Sequence, residues 1–455
     1  MQIPFNLLEK YNQPVPRYTS YPTVPFWKEG IDVQNWKTIF QHQFHMNNKA
    51  DGISLYIHLP FCESLCTYCG CNKKITNNHS VEQAYLDAIV KEWKMYVALM
   101  SEKPVLRELH LGGGTPTFFS PEHLQQLLTT IYADALIHPE HEFGFEGHPN
   151  NTTYEHLQTL YNLGFRRVSF GVQDHDKQVQ HIINRIQPYE NVQRVVQQAR
   201  EIGYHSVNFD LIYGLPLQTP ESMRQTIEQT IALQPDRIAF YSYAHVPWTS
   251  KAQRLFDETD LPSAHLKMQL YQLGKTMFIQ KGYSDIGMDH FALPNDDLYL
   301  AREEGWLHRN FMGYTTQRTG MLLGLGVSSI SDAGIAFAQN HKTLHDYYAA
   351  IEEGELAVTK GFFLNAEDRA FKKYILNVSC HGYTAFQPEH LLLLQRYSFP
   401  YLQLLADDGL VEWNEQELQV TATGRHFIRN ICKAFDLRLL RTESVAARKM
   451  FSNAI

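Results

Sequence analysis

The chain lacks any apolar run approaching the ~18 residues that a membrane-spanning helix requires. Its first fourteen residues carry Glu9 and Lys10 and no apolar stretch of the kind a secretory leader needs. Basic excess is missing as well. Forty Lys and Arg stand against 48 Asp and Glu, a formal charge of -8, which argues against binding a long polyanion such as DNA. No internal repeat or low-complexity tract occurs. Cysteine is scarce, six in 455 residues, yet four of the six crowd between positions 62 and 71. Without an export signal, such a cluster is more often a metal site than a disulfide framework, and neighbours this close would be strained as disulfides. These absences predict a cytoplasmic protein with no nucleic-acid partner and no membrane span.

What recurs is a short apolar, β-rich run followed by an amphipathic segment. The runs are Ser54–Leu59, Leu106–Leu111, Glu142–Glu146, Arg167–Gly171, Val207–Tyr213 and Arg237–Tyr243. Several are nearly continuous apolar strings, as strands covered on both faces require. Between them, Val81–Ala98, Pro121–Ala133 and Val192–Ile202 carry a helical apolar stripe. Strand, helix, strand in this rhythm predicts βαβ units and a parallel sheet. Six such units fit a closed or partial barrel, whose sites lie at the C-terminal ends of the strands.

From about Asn365 the texture changes. Glu367–Val378, Pro388–Tyr397 and Pro400–Ala406 read as helices. Leu410–Trp413 with Leu418–Thr421 reads as a hairpin, and a last helix runs from Thr423 to about Phe435. Helices plus a wing resemble a winged-helix module. With 11 Lys and Arg against 10 Asp and Glu from Asn365 onward, the basic bias of a DNA binder is absent, so a packing domain at the barrel mouth is expected.

Cys62-x-x-x-Cys66-x-x-Cys69 follows the strand that ends at Leu59, and so lies on the first loop of the rim. Three thiolates at this spacing can hold three irons of a cubane cluster and leave the fourth open. A structural zinc site wants four closed ligands, and a second cysteine pair is missing. Cys71 is a possible fourth ligand, though its one-residue separation from Cys69 makes joint ligation awkward. At the end of the second strand stands Gly112-Gly113-Gly114-Thr115-Pro116-Thr117, where glycine lets backbone approach a ligand closely. Glu146, Gln173, Arg185 and Asp210 sit on later strand ends. An acid such as Asp210 in an apolar strand must face a site or a partner.

Cys-x-x-x-Cys-x-aromatic-Cys, with Tyr68 as the aromatic, resembles the signature of the radical S-adenosylmethionine superfamily. The resemblance implies a [4Fe-4S] cluster on Cys62, Cys66 and Cys69, and S-adenosylmethionine on the open iron with its adenine near Tyr68. It also implies that the glycine loop contacts the methionine amino group. The expected fold is then α/β: a partial (β/α)6 TIM-like radical SAM barrel at 49–360, an N-terminal arm at 1–48 closing over the active site, and a mostly helical, winged-helix-like domain at 361–455.

Further segments narrow the substrate. Arg17–Thr23, Gly287–Ala292 and His308–Gln317 interleave aromatics with Arg, His and amides, which suits a flat macrocycle with carboxylate arms. With Tyr56–Cys62, Cys69–Asn72, Gly324–Ser331 and Arg429–Cys432, they resemble the oxygen-independent coproporphyrinogen III oxidase family. That resemblance implies a haem-pathway enzyme. A 5′-deoxyadenosyl radical takes a β-hydrogen from each of two propionates, carbon dioxide leaves, and protoporphyrinogen IX results. It further implies two S-adenosylmethionine molecules, lined by Tyr56, Gly70, Gly113, Gly114, Thr115, Glu146, Gln173, Arg185, Asp210, Ala244 and Ile330, with Cys71 nearer the second. A monomer drawing on an unidentified electron donor is expected. One departure stands out. Where the family usually carries Glu-x-Asp-Pro-Arg, this chain has Glu146-Gly147-His148-Pro149-Asn150, which removes two charges beside Glu146. The alternatives are a radical enzyme on another tetrapyrrole and a haem chaperone without turnover.

Overall fold

The computed structural model describes residues 4–248, 250–442 and 451. Seven parallel strands form the centre of one sheet: β1 (Ile53–Leu59), β2 (Val105–Gly113), β3 (Leu136–Gly147), β4 (Arg167–Gln173), β5 (Ser206–Tyr213), β6 (Arg237–Ser242) and β7 (Leu322–Leu325), with β7 beside β1. The six expected strands are all present. The seventh, and the antiparallel strands that extend the sheet beyond β7 and beyond β6, were not expected. The two outermost strands do not pair with each other, so the barrel is partial.

The strands are not apolar on both faces, contrary to expectation. In β1, Ile53, Leu55, Ile57 and Leu59 are buried against the helices, while Ser54, Tyr56 and His58 alternate onto the other face. Register carries this polar face around the lumen. Ser54 stands beside Glu108, Tyr56 beside His110, Glu108 beside Glu142, Glu146 beside Ser169 and Gly171 beside Asp210. The lower part of this lining pairs within itself. Ser54 Oγ donates to Glu108 at 2.6 Å, Arg167 pairs with Glu142 at 2.9 Å, and Arg237 pairs with Asp296 at 2.6 Å.

Helices cover the outside. α1 (Val81–Val97) buries Tyr85, Leu86, Ile89, Trp93 and Tyr96. α2 (Pro121–Asp134) starts on Ser120, whose side chain accepts the His123 N–H, with Pro121 in the first turn. The N-terminal segment is packed down. Its helix Val33–Asn47 buries Trp36, Phe40 and Phe44, and Lys28–Glu29 joins the sheet edge.

In the C-terminal region, the helix Ala366–His381 opens with an Asn365–Asp368 capping box. The two helices expected at 388–397 and 400–406 are one irregular rod. The chain passes from Leu391–Leu393 through a π-helical turn at Leu394–Ser398 into Phe399–Asp407. Pro400 has no N–H for a regular turn, and the widened turn accommodates it. The wing holds three strands rather than two, Tyr383–Ala385, Glu417–Val420 and Val411–Trp413 in that order. The last expected helix is broken into Gly424–Phe427 and Ile428–Lys433, and a further short helix, Leu437–Arg441, follows it. Among the described residues no helix is long and apolar enough to cross a membrane.

The seam between β1 and β7 is pinned from α1. Tyr85 Oη donates to His58 O at 2.7 Å and accepts the Val327 N–H at 3.0 Å. Glu92, fully buried, accepts from Gly326 N, Asn340 Nδ2 and Tyr347 Oη at 2.6–2.8 Å. Replacing Glu92 by Ala strands three donors, and thermal unfolding is expected to show a loss of about 3 kcal/mol or more. Burial lifts the Glu92 carboxyl to about 7 against its hydrogen bonds, so the folded chain holds that proton more tightly than the unfolded chain. The resulting stability is complete below about pH 4.5, the ordinary carboxyl value, and is lost as pH rises through about 7. Glu92→Gln is expected to flatten the stability–pH curve in that window; an unchanged slope would contradict the assignment.

Candidate active site

Backbone shapes the rim before any side chain does. Where the chain leaves β1, the glycine turn ending β2 runs alongside it. Gly114 N–H donates to Leu59 O at 2.8 Å and Thr115 N–H to Phe61 O at 2.9 Å. The approach requires glycine: φ is +118° at Gly113, and a Cβ at Gly114 would lie 2.5 Å from Pro60 O. Lys74 N–H to Pro60 O at 2.8 Å and Thr76 N–H to Cys62 O at 2.9 Å close the cysteine loop on its other side.

Within that loop, Cys62, Cys66 and Cys69 line one cavity of about 300 Å³ with Tyr68, Gly114, Thr115, Gln173, Arg185 and Asp210. A second cavity, of about 640 Å³, adjoins it. The two share Cys71, Gly113 and Glu146, and the second adds Tyr56, Gly70 and Ile330. Ala244 is the one expected site residue that lines neither. Its carbonyl accepts Gln253 Nε2 at 3.2 Å, and the same amide donates to Tyr68 O at 2.8 Å. Ala244 is therefore tied to the cysteine loop through the Gln253 amide, by two hydrogen bonds.

Among the described residues no three His, Cys, Asp or Glu side chains converge as ligands of a single metal ion. Three thiols spread around a common cavity suit a multi-iron cluster instead, in which each thiolate binds its own iron. The thiols are unequal. Burial pushes Cys62 up to about 11, against a 3.4 Å hydrogen bond from Thr115 Oγ1. A hydrogen bond from Cys71, aided by nearby Lys73, brings Cys69 down to about 6. Thiolate ligation at Cys62 thus calls for a cationic partner.

Arg185 faces the same cavity. Its Nη1 donates to Cys66 Sγ at 3.6 Å and its Nη2 to Gly171 O. Its Nε is buried with no partner among the described residues, so a donor beside the cysteines stands open to an acceptor such as a carboxylate. Gln173 is held at φ +67°, a strained position for a side-chain-bearing residue. Asp210 accepts from Ser169 Oγ at 3.0 Å and Asn208 Nδ2 at 2.9 Å. Burial, then the nearby Glu146 charge, raise its carboxyl to about 6.

Between the cavities, Glu146 accepts Gly113 N–H at 3.2 Å and contacts His110 Nε2 at 3.4 Å. Burial raises its pKa, but these partners outweigh that and hold it below the ordinary carboxylate value. His110 stacks on Tyr56, whose hydroxyl meets His58 Nδ1 at 3.1 Å. His58 Nε2 lies 2.9 Å from Asn72 O. A carbonyl can only accept, so Nε2 carries the proton and Nδ1 accepts from Tyr56. The Tyr56 oxygen therefore presents lone pairs to the second cavity. His58 and His110 were not singled out in the sequence. Their signal was period-2 alternation with Tyr56 on paired strands. Tyr241, and Phe311 and Met312 on the far wall, were also missed as individual site residues.

In the segment after Glu146, neutral side chains stand at both departures, while Arg194 donates to Pro149 O at 3.2 Å from outside. His148 lines the first cavity, and burial, then Arg185, push its pKa well below the ordinary value. Its Nδ1 accepts Asn150 N–H at 3.1 Å, and Asn150 Nδ2 donates to Ile186 O at 2.9 Å. Hydrogen bonds thus stand where the sequence departs from the expected charged pair.

The Radical SAM superfamily model matches residues 56–230. The chain is 40% identical over 455 residues to the oxygen-independent coproporphyrinogen III oxidase of Escherichia coli K12, covering 99% of this chain and 98% of that one. It is 40% identical to the Pseudomonas aeruginosa protein of the same name, with 95% of each covered. The solved structure of the Escherichia coli coproporphyrinogen III oxidase, a radical SAM enzyme, superposes with a TM-score of 0.87 at 38% identity, covering 96% of this chain and 99% of that one.

Gly114→Ala forces a Cβ against the Pro60 carbonyl. It is expected to displace the cysteine loop, so that anaerobically reconstituted protein loses most of its bound iron and its visible cluster absorbance. Iron content equal to wild type would show that the glycine contact does not position the loop.

Proposed function

The chain belongs to the oxygen-independent coproporphyrinogen III oxidase family of radical SAM oxidoreductases, and from that premise we propose that it converts two propionates of coproporphyrinogen III to vinyl groups, giving protoporphyrinogen IX for haem. The observation that carries this reading is the pair of adjoining cavities at the rim, one built around three thiols and the other around Tyr56, with Glu146 in the wall between.

Cys62, Cys66 and Cys69 would hold a [4Fe-4S] cluster, which when bound would supply the electron for reductive cleavage of S-adenosylmethionine and so the radical chemistry at the propionates. The chain's own part is to bind, orient and exclude water. The open Arg185 Nε suits the cosubstrate carboxylate. Gly113 and Gly114 bring backbone within reach of its amino group, and Tyr68 offers an apolar wall to the adenine. Asp210 and Gln173 offer hydrogen-bond partners to the ribose. A second S-adenosylmethionine is assigned to the Tyr56 cavity, beside Gly70, Cys71 and Ile330. Cys71 borders both cavities and is assigned to that second molecule rather than to the cluster. The substrate lies beneath the N-terminal arm. The protein works as a cytoplasmic monomer, takes electrons from a separate, unidentified donor, and passes the one electron that each substrate radical gives up with carbon dioxide to a separate acceptor.

The test is anaerobic. Reconstituted protein is given reductant, S-adenosylmethionine and coproporphyrinogen III, and the products are read for vinyl-bearing porphyrinogen and 5′-deoxyadenosine. Both are expected. Deoxyadenosine without vinyl product would remove the substrate and keep the superfamily chemistry; neither product would remove both. Cys69→Ser is expected to lose cluster and both products. Cys71→Ser is expected to keep wild-type iron content while vinyl formation falls. Loss of iron in Cys71→Ser would make it a ligand after all.

A further inference from the structure

Arg309 lies on the strand His308–Asn310, which pairs with Gly313–Thr315. The residue is only 7% exposed, yet its Nε and Nη1 have no hydrogen-bond partner among the described residues. Burying a guanidinium without partners is costly, so the arrangement asks for an anion. The group is also held in place. Its Cζ sits 4.8 Å over the Tyr314 ring, and Tyr314 Oη donates to Ser379 O at 2.7 Å. The donors are therefore oriented before any ligand arrives.

Arg309 lines a cavity of about 210 Å³ between the N-terminal arm at Tyr18–Tyr21 and the helix Ala366–His381. The other charges there are balanced. Lys372 pairs with Asp332 at 2.9 Å, and burial lowers His308 to about 4, which keeps it neutral. The cavity is below the size range of ordinary ligand pockets, too small for a macrocycle and ample for one carboxylate-bearing arm. It also adjoins the Tyr56 cavity. Leu322 walls both, and the chain following Arg309 supplies Phe311 and Met312 to the second.

We propose that Arg309 receives one propionate carboxylate of the bound tetrapyrrole in this cavity, fixing how the macrocycle is turned toward Tyr56. The assignment rests on the coproporphyrinogen reading above. Arg309 thereby acts as a specificity residue, and the N-terminal arm forms the opposite wall of its pocket.

The test uses the full-length, cluster-loaded protein and equilibrium fluorescence titration. The probes are coproporphyrin III, which carries the same four carboxylates, and its tetramethyl ester in dilute detergent. Arg309→Gln is expected to raise the Kd of the acid about tenfold or more and to leave that of the ester unchanged. Arg309→Lys is expected to recover part of the loss. Iron content and S-adenosylmethionine affinity should not move. The melting temperature of Arg309→Gln should equal or exceed that of wild type, because an uncompensated buried charge has been removed. Equal affinity of wild type and Arg309→Gln for the acid would overturn the proposal. So would a matched loss for both probes with a lower melting temperature, the mark of a structural role. Arg309-dependent binding of the acid without vinyl product in the turnover assay would support the carboxylate site and sink the decarboxylation reading. Wild type that binds neither probe would sink both.

Discussion

Two backbone hydrogen bonds set the position of everything at the rim, Gly114 N–H to Leu59 O and Thr115 N–H to Phe61 O. They extend the β1–β2 pairing one step beyond the strands and fasten the start of the cysteine loop to the sheet. Cys62 follows directly, with Thr115 Oγ1 against its sulfur. A loop of this length anchored at one point would sample many conformations. Closing it again through Lys74 and Thr76 reduces the entropy that binding a cluster would otherwise have to overcome. Glycine at 114 is the condition for that geometry, because any side chain there meets main chain and not a movable neighbour.

Buried charge is managed differently at the two ends of the lumen. Near the strand starts, Glu142 meets Arg167, Asp296 meets Arg237, and Glu108 takes hydroxyls from Ser54 and Thr315. These groups close on one another as ion pairs and hydrogen bonds. Toward the rim, the pairing is incomplete. Among the described residues, Arg185 has an unpartnered Nε there, and Arg309, beside the cavity under the N-terminal arm, has two unpartnered nitrogens. A low-dielectric interior makes a matched pair tolerable and an unmatched one expensive, so unmatched donors gather where a ligand can complete them.

Much of this was readable in the residues. The six parallel strands, the cysteines after the first, the glycine turn after the second and the polar groups on later strand ends all follow from local pattern. Less local features were hidden. The strand Leu322–Leu325 is four residues long and punctuated by glycines, and only its register against Ser54–Ile57 makes it a strand. The polar lumen was masked because large apolar residues on the helix-facing side dominate each run. The π turn ahead of Pro400 answers a clash that sequence reveals, in a form that sequence does not dictate. Ala244 was placed by resemblance, and its tie to the loop depends on Gln253, nine residues away. Arg309 stood in a quoted segment without distinction, since a missing partner is a property of three dimensions.

Gln253 has a consequence for how this architecture can vary. From the excursion that follows β6, its amide nitrogen reaches Ala244 O and Tyr68 O while its oxygen accepts Val246 N–H, and Ser250 Oγ reaches Cys69 O at 3.2 Å. Surface connections ordinarily accept insertions with little penalty. Here the length of 244–253 is tied to the span from the last parallel strand to the cysteine loop. A change in the length of this connection would therefore pull on the cysteine loop as well, so its two ends could be altered only together.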